Sequence, residues 1–280
     1  VSIEGGPGSS VTLDDVLLGW LDPEVSVRPE RELFPAGRSE QDVDRESTEE
    51  MASSQENATA AALGELGIPV PTTLTVAGFS QGAHASSVLK KGDVITEVGG
   101  QRVTDLPELR RLLQETRAGE PVDVAFTRDG KAEHAEVQTL RGEQGQTLLG
   151  VLIDPNYKFP VEVDIKIENI GGPSAGMMFS LGIIDKLTPG AMTGGRKIAG
   201  TGTIDSSGEV GPIGGIQQKL VGARDAGAEW FLAPADNCEE VVGHVPAGLR
   251  VVKVSTLHEA RVAVEAVGEG KDTSGLPSCG

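Results

Sequence analysis

Gly171-Gly172-Pro173-Ser174-Ala175-Gly176 is the stretch around which the chain is arranged. The segment before it alternates, with Val161, Val163, Ile165 and Ile167 apolar and Glu162, Asp164, Lys166 and Glu168 polar. A period of two predicts a half-buried strand. After it, Met177, Met178, Leu181 and Ile184 recur at helical spacing up to the stop Thr188-Pro189-Gly190. A serine therefore sits on a glycine-rich turn between a predicted strand and a predicted helix. Amide groups at a helix N-terminus attract negative charge and can stabilise the oxyanion of acyl transfer. Ser174 is the candidate nucleophile.

A serine hydroxyl needs a base, and the residues offer three readings. Lys219 shares a helical face with Ile216, Leu220 and Ala223, where lost hydration would push its pKa down until the neutral amine can take the serine proton. The same lysine could instead snorkel from the edge of an apolar stripe. Alternatively, Gly172–Gly176 fits G-x-S-x-G, and Asp236 with His258 supplies a hydrolase-like order of partners. The third reading has no base, with Ser174 an N-cap or part of a phosphate-binding turn.

Composition narrows the classes. The 280 residues allow two domains, and with only 3% aromatic residues the cores must be aliphatic. A net charge of −18 opposes a nucleic-acid partner and a polybasic membrane contact. No run of about 18 apolar residues occurs, and no signal-peptide pattern. The chain starts at Val1, consistent with a preceding segment. Cys238 and Cys279 have no metal spacing. They are either two buried thiols or a disulfide pinning the polar C-terminal tail, which would imply an oxidising compartment.

Along the chain, Leu13–Trp20 reads as a helix, Gly5-Gly6-Pro7-Gly8 as a turn, residues 22–50 as acidic surface turning helical near Asp42, and Met51–Gly64 as an Ala-rich helix. Residues 70–140 form a compact module. Its markers are strands at Leu74-Thr75-Val76 and Val94-Ile95, a Gly99-Gly100 turn, an Asp105/Glu108 cap before Leu106, Leu109, Leu112 and Leu113, and an Asp129-Gly130 hairpin. The remainder alternates strands and helices, an α/β (α+β) pattern, and contains no G-x-x-x-x-G-K-[ST] phosphate loop.

The stretch Leu89-Lys90-Lys91-Gly92-Asp93-Val94-Ile95 with Gly99-Gly100-Gln101-Arg102-Val103, the following helix and the hairpin resembles a bacterial PDZ domain. Such domains take an extended peptide, often a C-terminus, as an added strand beside a helix. On this resemblance Leu66-Gly67-Ile68 is the expected carboxylate-binding loop. Residues 150–265 resemble the proteolytic domain of Lon-type proteases. The carriers are Gly172–Gly176, Ala199-Gly200-Thr201-Gly202-Thr203-Ile204, and Gly211-Pro212-Ile213-Gly214-Gly215 running into Lys219, 45 residues after the serine. The resemblance implies Ser174 as nucleophile, Lys219 as base, Thr201 as the hydroxyl that orients the lysine, and amides near Gly172 and Ala175 as oxyanion donors. It implies no metal and no cofactor. Lon-type enzymes often carry an acidic residue where Gly171 stands here.

A PDZ module ahead of a Lon-type domain resembles the membrane-anchored PDZ–Lon proteases of Gram-positive bacteria, including the run Met51-Ala52-Ser53-Ser54-Gln55-Glu56-Asn57-Ala58 before the PDZ module. The expected domains are 1–66 packing on the protease part, 67–142 PDZ, 143–268 proteolytic, and a 269–280 tail. The implied function is ATP-independent endoproteolysis outside the cytoplasm, with an anchor outside this chain and a Cys238–Cys279 bridge. Unfolded polypeptides or exposed C-termini would be the partners, and a homo-oligomer is possible. The competing class is a non-catalytic PDZ adaptor with a degenerate protease domain.

Overall fold

The computed structural model describes residues 4–6, 10–21, 25–34, 39–143, 145–167 and 171–280. The turn expected at Pro7-Gly8 and the strand end expected at Glu168 lie outside them. In chain order come helices α1 (Leu13–Leu21), α2 (Glu30–Leu33) and α3 (Glu40–Glu65). Next are β1 (Thr72–Phe79), β2 (Val94–Val98), β3 (Gln101–Arg102), α4 (Leu106–Gln114), β4 (Pro121–Arg128), β5 (Lys131–Gln138), β6 (Leu140–Arg141), β7 (Thr147–Leu148) and β8 (Val151–Tyr157). Then follow α5 (Gly176–Leu187), β9 (Ile198–Gly200), β10 (Thr203–Ile204), β11 (Val210–Gly211), α6 (Ile216–Asp225), β12 (Trp230–Pro234), α7 (Cys238–Val241), β13 (Arg250–Val254) and α8 (Leu257–Gly268). None of the described helices is long and apolar enough to cross a membrane.

The chain divides into two compact units, Val1–Ile68 with Val163–Gly280, and Pro69–Glu162. The second unit is thus an insertion in the sequence of the first. Residues 143–162, expected to open the proteolytic part, belong to the inserted unit because β8 pairs antiparallel with β1, from Thr72 opposite Tyr157 to Phe79 opposite Val151.

The inserted unit is a sheet in the order β5-β4-β2-β1-β8. Asp129 (φ 50°) and Gly130 (φ 75°) close the β4–β5 hairpin with two left-handed residues, as a type I′ turn requires. Helix α4 is capped by Asp105, whose carboxylate accepts from the Glu108 amide at 2.8 Å, and it buries Leu109, Leu112 and Leu113 against the sheet. Asp93 is 1% exposed and accepts twice from Arg128, at 2.6 and 2.8 Å, and from the Lys90 amide at 2.7 Å. Burial raises the Asp93 pKa, but these donors outweigh it and hold the carboxyl below its ordinary range.

In the other unit β13, β12 and β9 form a parallel sheet. Helix α3 starts at a Ser39/Asp42 capping box. It lays Ala58, Ala61 and Ala62 against Met177, Leu181 and Ile184 in one core, where small residues let two helices approach closely. The core is mainly aliphatic, with Phe179 among its buried residues. Residues 161–166 show the expected alternation of exposure, and Val163 and Ile165 pack on this core, whereas Ile167, expected on the same side, is exposed. They form no strand, however, because no ladder partner lies beside them among the described residues. The C-terminal tail docks through Leu276, a Lys253 amide bond to the Pro277 carbonyl at 2.9 Å, and a Cys238–Cys279 disulfide.

Candidate active site

Ser174 lies on the turn that ends at α5, half-buried. Gly172 precedes it with φ +80°, a left-handed conformation that favours glycine, and its amide donates to the Ser47 carbonyl on α3 at 3.3 Å. Ser54, 3% exposed on the same helix, donates from Oγ to the Pro173 carbonyl at 3.2 Å. A Cβ at Gly176 would sit 2.8 Å from Ser54 Oγ and 2.9 Å from Ile204 Cγ2. A Cβ at Gly171 would collide with the Ser47 hydroxyl, so an acidic residue there would have to displace Ser47. Helix α3 therefore backs the whole turn.

The other side of the turn is fixed by the segment after β9. The Ser174 carbonyl accepts from the Gly202 amide at 2.9 Å and from Thr201 Oγ1 at 2.9 Å. Thr201, 3% exposed, is itself held by its amide on the Leu232 carbonyl at 3.1 Å.

Lys219 reaches this turn from the first part of α6. That helix opens at Gly215, which is left-handed (φ +69°), and buries Ile216, Leu220 and Ala223. Lys219 Nζ donates to Ser174 Oγ at 2.8 Å and to Thr201 Oγ1 at 3.1 Å. Thr201 has one hydroxyl proton and gives it to the Ser174 carbonyl, so its lone pairs face the lysine. Burial lowers the Lys219 pKa.

Ser174, Lys219 and Thr201 are thus brought together. The amides of Ser174 and Ala175 bond to no backbone carbonyl among the described residues and stand at the N-terminus of α5. The Gly172 amide, by contrast, is engaged with α3. His258 is exposed and its Nδ1 pairs with Glu65 Oε1 at 2.9 Å, bridging α8 to α3. The Lys219 amine, not a histidine, lies within hydrogen-bond reach of Ser174 Oγ. A groove of about 330 Å³, lined by Glu49, Glu50, Ser54, Asn57, Pro173 and Ile204, borders the turn.

Leu66-Gly67-Ile68 does not form the expected carboxylate loop. Gly67 is left-handed (φ +68°), and the three amides bond to the carbonyls of Ala62, Gly64 and Leu63 as the C-terminal cap of α3. The inserted sheet ends on β5 and on β8, and at the β8 edge an added strand would find unpaired backbone groups. Leu148-Leu149-Gly150 leads into it, with Gly150 left-handed (φ +76°). Gln114 at the end of α4 exchanges hydrogen bonds with the Thr147 backbone at 3.3 and 3.4 Å.

Sequence reading missed Ser47 and Ser54, because their partners lie more than a hundred residues away. A signal existed for Ser54, a polar residue on the helical stripe of Ala58 and Ala61.

Comparison with known proteins finds two domain families along the chain. Residues 72–139 match the PDZ domain, and residues 166–266 match the Lon protease (S16) C-terminal proteolytic domain. Over 116 residues the chain is 33% identical to Lon protease 1 of Bacillus subtilis, covering 40% of this chain and 15% of that protein. Over 98 residues it is 38% identical to Lon protease of Vibrio parahaemolyticus, covering 34% of this chain and 12% of that protein. A solved PDZ domain of the SdrC-like protein from Listeria monocytogenes is 22% identical, with a TM-score of 0.27, over 29% of this chain and 85% of that one. The chain carries a PDZ domain and a Lon-type C-terminal proteolytic domain.

Proposed function

We propose that the chain is a serine endopeptidase with a Ser174–Lys219 dyad, acting without nucleotide on unfolded or misassembled polypeptides. The observation that carries this reading is the 2.8 Å contact of Lys219 Nζ with Ser174 Oγ, inside the range for nucleophile and base. In the neutral amine Thr201 Oγ1 accepts one N–H, which leaves the nitrogen lone pair aimed at the serine hydroxyl. The Ser174 proton moves to Nζ as Oγ attacks the peptide carbonyl carbon. The Ser174 and Ala175 amides receive the oxyanion, each such donor being worth roughly 10²–10³ in rate. The ammonium then protonates the leaving amine, and water releases the acyl group by the reverse sequence. The contacts among Ser174, Thr201 and Lys219 lie wholly within residues 174–219.

The PDZ domain would hold an extended substrate end along the edge of β8, with exposed Leu152 beside it. The Cys238–Cys279 disulfide supports a location outside the cytoplasm. The test is cleavage of an unfolded protein, without nucleotide, by wild type, Ser174→Ala and Lys219→Met. Cleavage by wild type alone supports the reading, whereas equal activity in all three overturns it. A Leu152→Pro variant should also weaken binding of an apolar peptide with a free C-terminus.

A further inference from the structure

Lys219 sits on a helix whose entry, Gly214-Gly215, has no side chains of its own to fix it. Two glycines leave a large backbone freedom to be lost on folding, yet the amine must stay within hydrogen-bond reach of Ser174. One side chain outside this segment grips it. Asn237 is 2% exposed and pairs with the backbone of Ile213 in both directions. Its Oδ1 accepts from the Ile213 amide at 2.9 Å, and its Nδ2 donates to the Ile213 carbonyl at 2.9 Å. Nδ2 also donates to Glu240 Oε1 at 2.9 Å.

The geometry points to Asn237 as a positioning residue for the base: by clamping Ile213 it sets where α6 begins, and so where Lys219 Nζ meets Ser174. Ile213 lies six residues before Lys219. The path between them is Gly214, left-handed Gly215 and the first turn of α6, in which the Lys219 amide bonds to the Gly215 carbonyl at 3.1 Å. The Ile213 side chain packs with Ile216, Leu220 and Val241, so the clamp and the helix share one core. Asn237 is anchored from its own side too, since the next residue, Cys238, is disulfide-bonded to Cys279. Gln217 on α6 donates to the Glu240 carbonyl at 3.2 Å, a second tie between the same two segments. No contact joins Asn237 to Ser174, so its influence must pass through Lys219.

This inference rests on the dyad reading. Its test compares wild type and Asn237→Ala for cleavage of an unfolded protein, with the competent serines counted by a phosphonofluoridate that labels Ser174. A misplacement of the base by a fraction of an ångström to an ångström should lower kcat per labelled serine about 10- to 100-fold. KM should stay within about two-fold, because Asn237 does not line the nucleophile's turn. Where Asn237→Ala does not fold, Asn237→Asp serves: it keeps the bond from the Ile213 amide and loses the return donation, and should show a smaller fall of the same kind. A kcat per labelled serine equal to wild type, with only fewer labelled serines, overturns the proposal and leaves the dyad standing. Wild type that shows no Ser174-dependent cleavage overturns both.

Discussion

Ser54 Oγ donates to the carbonyl of Pro173, the residue before Ser174, across 119 positions of sequence and past the whole inserted PDZ domain. Helix α3, which lies outside the residues matched to the Lon-type domain, therefore supports the Ser174 turn. Ser54→Ala removes one of the two donors to the Pro173 carbonyl, which keeps the Gly176 amide at 3.2 Å, and a net cost of about 1 kcal/mol is expected. Urea denaturation should report that loss, and kcat should fall with it. Limited proteolysis gives a broader check: cutting away residues 1–66 should destabilise the remaining proteolytic unit, not leave it equally stable.

Lys219 carries a pH signature. Its folded pKa lies below the ordinary value of 10.5 because burial disfavours the charged form. The base must be neutral, so kcat/KM should rise with pH through the lowered value and level off before 10.5. Stability follows the same sign. Below the folded pKa the lysine is charged in both states and the folded state bears the full penalty. Stability therefore increases with pH between the folded and unfolded values. Lys219→Met should abolish cleavage yet melt no lower than wild type at pH 7, and any advantage should shrink as pH approaches 10.5.

Asp93 in the PDZ domain predicts the opposite dependence. Its folded pKa is held below the unfolded one by Arg128 and the Lys90 amide. The stability it contributes is present above the unfolded carboxylate value, about 4, and is lost as pH falls through the lowered folded value. Asp93→Asn should depress the melting of the PDZ domain by at least about 5 °C at neutral pH, because the half-buried Arg128 loses its buried carboxylate partner. The gap to wild type should close in acid.

The Cys238–Cys279 bridge closes a separation of 41 residues. Releasing it should cost about 2–4 kcal/mol. Urea melts of wild type with and without a thiol reductant, beside Cys279→Ser, should agree on that figure, and Cys279→Ser should be insensitive to the reductant.

Much of this was legible in local sequence. The Ser174 turn, the face of α6 that carries Lys219 and the Asp129-Gly130 hairpin are read from glycines and helical spacing, which report local backbone demands. What escaped was pairing at a distance. Alternation reports which side faces the core as far as Lys166 but not at Ile167, and says nothing about whether a neighbouring strand exists. An apolar-Gly-apolar run at 66–68 looks the same whether its amides meet a peptide carboxylate or cap a helix, and here the preceding α3 takes them. Strand β8 joined the PDZ domain because β1 offered seven residue pairs to it, a contact that no local period encodes. Ser47, Ser54 and Asn237 belong to the same class, since each acts on a backbone group far from it in sequence.

The most direct test of the dyad is the rate at which a phosphonofluoridate modifies Ser174, followed by mass spectrometry in wild type and Lys219→Met. A single adduct on Ser174 is expected, forming faster as pH rises in wild type and roughly 10²–10⁴-fold more slowly without the lysine, the range typical of a lost general base. Equal rates in the two proteins, or an adduct on another residue, would contradict the assignment of Lys219 and Ser174.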